Sequence, residues 1–185
     1  NHLGVPLTVF TVEAEHEVLV LEMGMSNFGE ISALAKIGKP DIAVMTNIGT
    51  SHIENLGSQE NIFKAKAEVL ENFTEDNLLI ANGDDKFLSH AGELGNFKTL
   101  YYGIENPDND CYAKDIKNLG TDGVEFTICY GENKVRAKVS TPGIHNVYNA
   151  LAAYCVGKAM GLSDENIVKG LENCEMTKMR LEIED

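Results

Sequence analysis

Apolar positions come in short runs along the first hundred residues and in alternation after them. Residues 17–23, Glu-Val-Leu-Val-Leu-Glu-Met, form a run bounded by an acid and a glycine, which predicts a buried strand of a parallel sheet. Residues 29–38 then carry Ile31, Leu34 and Ile37 on one helical face, with Gly38 as a stop. Residues 41–46 predict a second buried strand and complete a βαβ unit. The alternation continues with a helix over 59–73 capped by Ser58, a strand at 77–81, and a turn at 82–85. A short helix at 86–94 and a strand at 98–102 follow. Strands alternating with helices at this spacing predict an α/β fold, a doubly wound and mostly parallel sheet.

The texture changes after Gly103. Residues 110–116, 123–130 and 134–140 alternate apolar and polar positions and are joined by turn residues, Thr121-Asp-Gly and Gly131-Glu-Asn. This predicts a small antiparallel β subdomain. Pro142-Gly143 ends it, a long helix runs over about 146–160 to Gly161, and a last helix over 163–172 starts at Ser163. The expected division is a parallel α/β part over 1–103, an antiparallel part over 104–141 and a helical part over 142–185.

Composition narrows the function. Of 185 residues, 43% are hydrophobic and 24% charged, which are globular values. A net charge of −14 argues against nucleic acid or an anionic membrane surface as a partner. No apolar run approaches the ~18–20 residues of a spanning helix, so the chain reads as a soluble protein. Cys111, Cys129, Cys155 and Cys174 form no CxxC motif and read as reduced thiols of a cytoplasmic protein. The chain opens on Asn1 and stops in mid-pattern at Asp185, as expected of a piece of a longer protein.

Four places could carry chemistry. Glu22 ends the first predicted strand, on the edge of a parallel sheet where ligands bind, and an acid there suits Mg²⁺. An acid in that position can equally pair with a helix N-terminus. Thr46-Asn-Ile-Gly-Thr-Ser-His52 opens on the same edge, and His52 is either a ligand contact or a satisfied polar group. Lys64 and Glu68 are spaced as a surface pair, while Lys66 lies about 200° around the helix from Lys64, so one lysine can face inward. His145, Asn146 and Asn149 stand together at the start of the long helix, as caps or as readers of a purine edge.

In order, these motifs are Asn1-x-x-Gly4-x-Pro6, Glu22-Met-Gly-x-x-x-x-Gly29-Glu30-Ile31, Asn47-x-x-x-x-His52-x-Glu54-x-x-Gly57-Ser58 and Ala65-Lys66-x-Glu68. Gly143-x-His145-Asn146-x-x-Asn149-Ala150-Leu151-x-Ala153 and Met179-Arg180 complete the set. The set resembles the central domain of the Mur ligases, ATP-dependent amide-forming enzymes of peptidoglycan synthesis. The Glu22 to Ile31 signature resembles the branch that adds D-alanyl-D-alanine to UDP-MurNAc-tripeptide. The resemblance implies ATP and Mg²⁺ as cofactors. It implies Glu22, His52 and a carbamylated Lys66 on the metal side, with Lys66 and His52 in catalysis. It implies Asn146, Asn149 and His145 at the adenine, Arg180 near the phosphates and Asn1 beside the substrate site.

One departure stands out. The family's central domain begins with a strand and a phosphate loop ending in Gly-Lys-Thr or Gly-Lys-Ser, and neither tripeptide occurs here. The expectation is therefore a P-loop-like domain without its first strand and phosphate loop, inactive by itself. Other Mur-type or folylpolyglutamate-type carboxylate–amine ligases, or a noncatalytic nucleotide-binding module, are the alternatives.

Overall fold

The computed structural model describes residues 2–174. Six strands form a sheet in the order β1-β2-β3-β4-β5-β6: β1 Ile42–Met45, β2 Leu78–Asn82, β3 Lys98–Gly103, β4 Cys111–Asn118, β5 Val124–Tyr130 and β6 Asn133–Val139. The bonds from Lys98 N to Asn77 O and from Gly83 N to Tyr102 O climb both strands together, so β2 and β3 run parallel. β3 and β4 are also parallel, with Tyr102 opposite Cys111. β4–β5 and β5–β6 are antiparallel, with Ala113 opposite Ile128 and Ile128 opposite Val135. The expected α/β class, mostly parallel sheet and antiparallel end are all present.

The chain divides into two compact units, residues 1–79 with 85–99, and residues 80–84 with 100–185. The first holds α1 Gly4–Phe10, α2 Glu30–Gly38, β1, the short α3 Ile53–Leu56 and α4 Gln59–Ala67. A 3₁₀ turn continues α4 over Glu68–Leu70, and another spans Leu88–Leu94. Ser58 caps α4 as expected, its hydroxyl accepting from Asn61 N at 3.2 Å. The buried face of α2 is Ile31, Leu34 and Ala35, an i, i+3, i+4 stripe. Ile37, expected inside, is 45% exposed, because it lies on the flank of that stripe.

The first predicted strand is not formed. Residues 16–25 carry no regular secondary structure, and Val18, Leu19 and Val20 are 49%, 40% and 85% exposed. An apolar run becomes a strand only where a neighbouring strand supplies a ladder and a second layer covers its side chains. Its C-terminal half still alternates, with Leu21 and Met23 half-buried and Met25 buried. The β1 strand, expected to be buried throughout, buries Ala43 and Met45 and exposes Val44, as an edge strand does.

The second unit gathers the antiparallel strands with α5 Ile144–Ala159 and α6 Asp164–Glu172. Its core is built from Tyr102, Cys111, Ile128, Leu151, Tyr154 and Cys155, all fully buried. Ser163 caps α6, accepting from Asn166 N at 3.3 Å. Cys111, Cys129 and Cys155 are buried thiols, Cys174 is an exposed thiol, and none of the four forms a disulfide.

Candidate functional site

In the first unit the chemistry collects around the loop that follows β1. Ile48 is buried, and its N–H donates to Asp85 Oδ2 at 2.8 Å. The other oxygen of Asp85 accepts from Phe87 N and Leu88 N at 2.9 and 3.1 Å, starting the 3₁₀ turn. Gln59 Nε2 donates to Ile48 O at 3.1 Å, and Lys66 Nζ donates to Asn47 O at 2.9 Å. Two residues of α4 and one acid beyond β2 therefore fix the backbone of residues 47–48. His52 follows in the left-handed conformation, φ +65°, exposed at the start of α3.

The two lysines of α4 part as their spacing requires. Lys64 is exposed and pairs with Glu60 at 2.8 Å, not with Glu68. Lys66 is half-buried; burial pulls its ammonium below the usual lysine range, and the nearby Asp85 carboxylate partly restores it. Glu68 turns the other way. Its carboxylate accepts from Gly29 N at 2.7 Å and Ser32 N at 3.1 Å, capping α2 from 36 or more residues away in sequence. The reach explains the lost pairing: two backbone donors at a positive helix terminus outbid one solvated ammonium. Glu30 closes the turn before α2, accepting from Ser26 N at 2.8 Å and Asn27 Nδ2 at 3.0 Å. The Asn27 amide and the Ser26 amide hold its carboxyl below the usual range. The Gly29-Glu30 motif and the Lys66-x-Glu68 motif are thus mechanically joined.

Glu22 is exposed in the irregular segment before α2. Among the described residues no group of three or more His, Cys, Asp or Glu could hold a metal ion. Of the expected metal-side set, Glu22 offers a carboxylate and His52 an imidazole, while Lys66 as an ammonium is a donor only. That set fits Mg²⁺ only where phosphate and water oxygens complete the shell and Lys66 is converted to an oxygen donor. A concavity of about 380 Å³ lies between α2 and Asn77, lined by Lys36, Lys39, Asn72 and Phe73 among others, and none of the expected site residues lines it.

In the second unit, α5 begins at Gly143 without a side-chain cap. His145, Asn146 and Asn149 form one connected string there. Asn146 Nδ2 donates to Pro142 O at 2.8 Å and lies 3.1 Å from His145 Nε2, while Asn149 Nδ2 donates to Asn146 Oδ1 at 3.4 Å. His145 and Asn149 are exposed, so their remaining polar atoms face solvent. Between them, Tyr148 turns inward and donates its hydroxyl to Asp84 Oδ2 at 2.9 Å. Asn1 and Arg180 lie outside the described residues.

Sequence reasoning took Asn82-Gly-Asp-Asp for a turn and missed both acids. The signal was available, since two acids directly beyond a parallel strand stand where Glu22 was considered. Their positions explain the split: Asp85 fastens the loop after β1, and Asp84 holds the residues after β3.

The chain belongs to the Mur ligase family as its middle domain: the family model for that domain matches residues 1–157. Its relatives include the UDP-N-acetylmuramoyl-tripeptide–D-alanyl-D-alanine ligase of Bacillus subtilis, 42% identical over 183 residues, covering 99% of this chain and 38% of that protein. The ligase of the same description from Escherichia coli is 30% identical, over 98% of this chain and 40% of its own length. Among solved structures, MurF from Acinetobacter baumannii superposes with a TM-score of 0.90 at 31% identity, covering 97% of this chain and 39% of that one. MurF from Thermotoga maritima in complex with ADP gives 0.81 at 27% identity, covering 94% and 40%. The chain spans about two fifths of the length of these relatives.

Proposed function

We propose that this chain is the nucleotide-binding middle domain of an ATP-dependent ligase that joins D-alanyl-D-alanine to UDP-MurNAc-tripeptide. The observation that carries the reading is the 42% identity to such a ligase across 99% of the chain. In the proposed reaction a carboxylate oxygen of the tripeptide attacks the γ-phosphorus of ATP, ADP leaves, and an acyl phosphate forms. The amine of D-alanyl-D-alanine then attacks the acyl carbon. The tetrahedral intermediate loses a proton and expels phosphate, leaving the amide. The protein's contribution is positioning and charge neutralisation.

Asn146 and Asn149 hold the adenine, with His145 beside them. Lys66, positioned against Asn47 O, is the candidate for carbamylation. Its lowered proton affinity supports this, because only the neutral amine adds CO₂. The modified nitrogen retains one hydrogen, so it can keep the bond to Asn47 O while presenting a new carboxylate. Mg²⁺, bound with the nucleotide phosphates by Glu22, His52 and that carboxylate, would supply charge neutralisation. Cysteines kept out of disulfides and nucleotide substrates fit the cytoplasm. No helix among the described residues is long and apolar enough to cross a membrane.

The test is ADP release by the full-length protein, with each amine acceptor offered in turn. Release that requires both UDP-MurNAc-tripeptide and D-alanyl-D-alanine supports the proposal. Release supported instead by L-alanine, D-glutamate or a diamino acid with the matching shorter muramoyl substrate, or by L-glutamate with a folate as the carboxylate, overturns it in favour of another ligase. No release with any acceptor favours a noncatalytic module. The 185-residue chain alone, which contains no Gly-Lys-Thr or Gly-Lys-Ser, is expected to turn over nothing.

A further inference from the structure

We propose that Tyr148 and Asp84 are a positioning pair that holds the base-contacting asparagines of α5 in place; this rests on the nucleotide-binding reading above. The start of α5 needs such a device. Its N-cap, Gly143, has φ +107° and supplies no side-chain hydrogen bond, so the first turn has no cap of the usual kind. Asn146 and Asn149 lie in the first two turns, on either side of Tyr148, and bond chiefly to each other, His145 and Pro142. The Tyr148 hydroxyl ties this part of the helix sideways to the end of β2.

The anchor at the other end is rigid. Asp84 Oδ2 accepts from Ile104 N at 2.5 Å, Glu105 N at 2.9 Å and the Tyr148 hydroxyl at 2.9 Å. Oδ1 accepts from Asn106 N at 3.2 Å and Asn109 Nδ2 at 3.1 Å. A carboxylate has about four lone-pair directions, so five donors saturate it. The packing around it leaves no slack. A Cβ on Gly103 would lie 2.5 Å from both Asp84 oxygens, and one on Gly83 would lie 2.0 Å from Asn109 Oδ1. Asp84 is thereby excluded as a cation ligand or a base, although it stands beyond a parallel strand as such residues do. It is a fixed acceptor built by the chain, and Tyr148 is the donor that brings α5 to it.

The experiment compares the full-length protein with its Tyr148→Phe variant by titration calorimetry with ADP and with IDP, whose base lacks the 6-amino group. Tyr148→Phe is expected to weaken ADP about fivefold to tenfold, less than the full worth of a hydrogen bond to a charged acceptor because the helix keeps its other contacts. IDP binding is expected to change by less than about twofold, so the preference for adenine falls with ADP affinity. In turnover assays the KM for ATP rises with kcat and the KM for D-alanyl-D-alanine near wild type. ADP affinity within about twofold of wild type would overturn the inference, as would equal weakening of both nucleotides with a lowered melting temperature, the mark of a purely structural role. The binding comparison needs no turnover, so failure of the ligase assignment and failure of this inference are read separately.

Discussion

Glu68 offers the sharpest test of the structure against the simple pattern of the sequence. Spaced four residues from Lys64, it would be half of a surface ion pair worth about 0.5 kcal/mol or less. In the structure it accepts from Gly29 N and Ser32 N at the start of α2, whose N-cap glycine has no side chain to do so. Removing an N-cap acceptor costs about 1–2 kcal/mol. The negative charge at a helix N-terminus adds roughly 0.3–1 kcal/mol. Ser32 is buried, so water cannot replace its lost acceptor, whereas it can at exposed Gly29. Glu68→Ala is therefore expected to destabilise the chain by about 2–3 kcal/mol, lowering the melting temperature by about 5–10 °C. Glu68→Gln keeps an acceptor without the charge and falls between. Lys64→Ala, which breaks only the exposed pair with Glu60, stays within about 0.5 kcal/mol. Urea titration followed by circular dichroism measures all three. Equal, small effects of Glu68→Ala and Lys64→Ala would refute the capping role.

Three further outcomes follow from single contacts. Gly123 sits at φ +96°, and a Cβ there would meet Val139 O at 1.9 Å, so Gly123→Ala is expected to cost about 3 kcal/mol or more in a urea titration. Tyr154, fully buried, donates to Asp164 Oδ1 at 2.7 Å, and Tyr154→Phe is expected to cost about 1–2 kcal/mol by the same measurement. Burial raises the Asp84 carboxyl, but the amides of Glu105 and Ile104, the Tyr148 hydroxyl and the Asn106 amide outweigh it and bring it below the usual carboxylate range. A depressed folded pKa contributes stability that is present above the unfolded value of about 3.9 and lost as pH falls through the folded one. Asp84→Asn is therefore expected to flatten the acid limb of stability against pH below about pH 4, measured by thermal melts.

Most helices and the strands after β1 were legible because their signals are local, whereas α1 Gly4–Phe10 was not foreseen. Ser58 and Ser163 cap the helices they precede, and β2 to β6 fall within a residue or two of the predicted runs. What failed was what depends on neighbours. Residues 17–23 have the composition of a strand, but composition does not supply a ladder partner, and Val20 is 85% exposed. Likewise Ile37 and Val44 satisfy the helical and strand patterns, yet the covering layer is absent on their side. The short α3 was missed because four residues hold no period to detect.

The site divides along the same line. His145, Asn146 and Asn149 come together because they share one helix, and Lys66 turns inward because α4 forces it away from Lys64. The acids that organise these groups were visible as residues, but most of their partners were not, for a physical reason. Asp84 and Asp85 are adjacent, yet one carboxylate serves residues 104–109 and Tyr148, and the other serves Ile48 and the turn at Leu88. Both lie in the turn beyond β2, and their distant partners stand 20 to 64 positions away for Asp84 and 37 for Asp85, while Asp85 also starts the local turn at Phe87 and Leu88. No local pattern encodes such partners; only the folded backbone brings their amides to the carboxylates. The same logic fixes the role of Asp84. A carboxylate already saturated by three backbone amides, an asparagine amide and a tyrosine hydroxyl stabilises the scaffold and is closed to ligands.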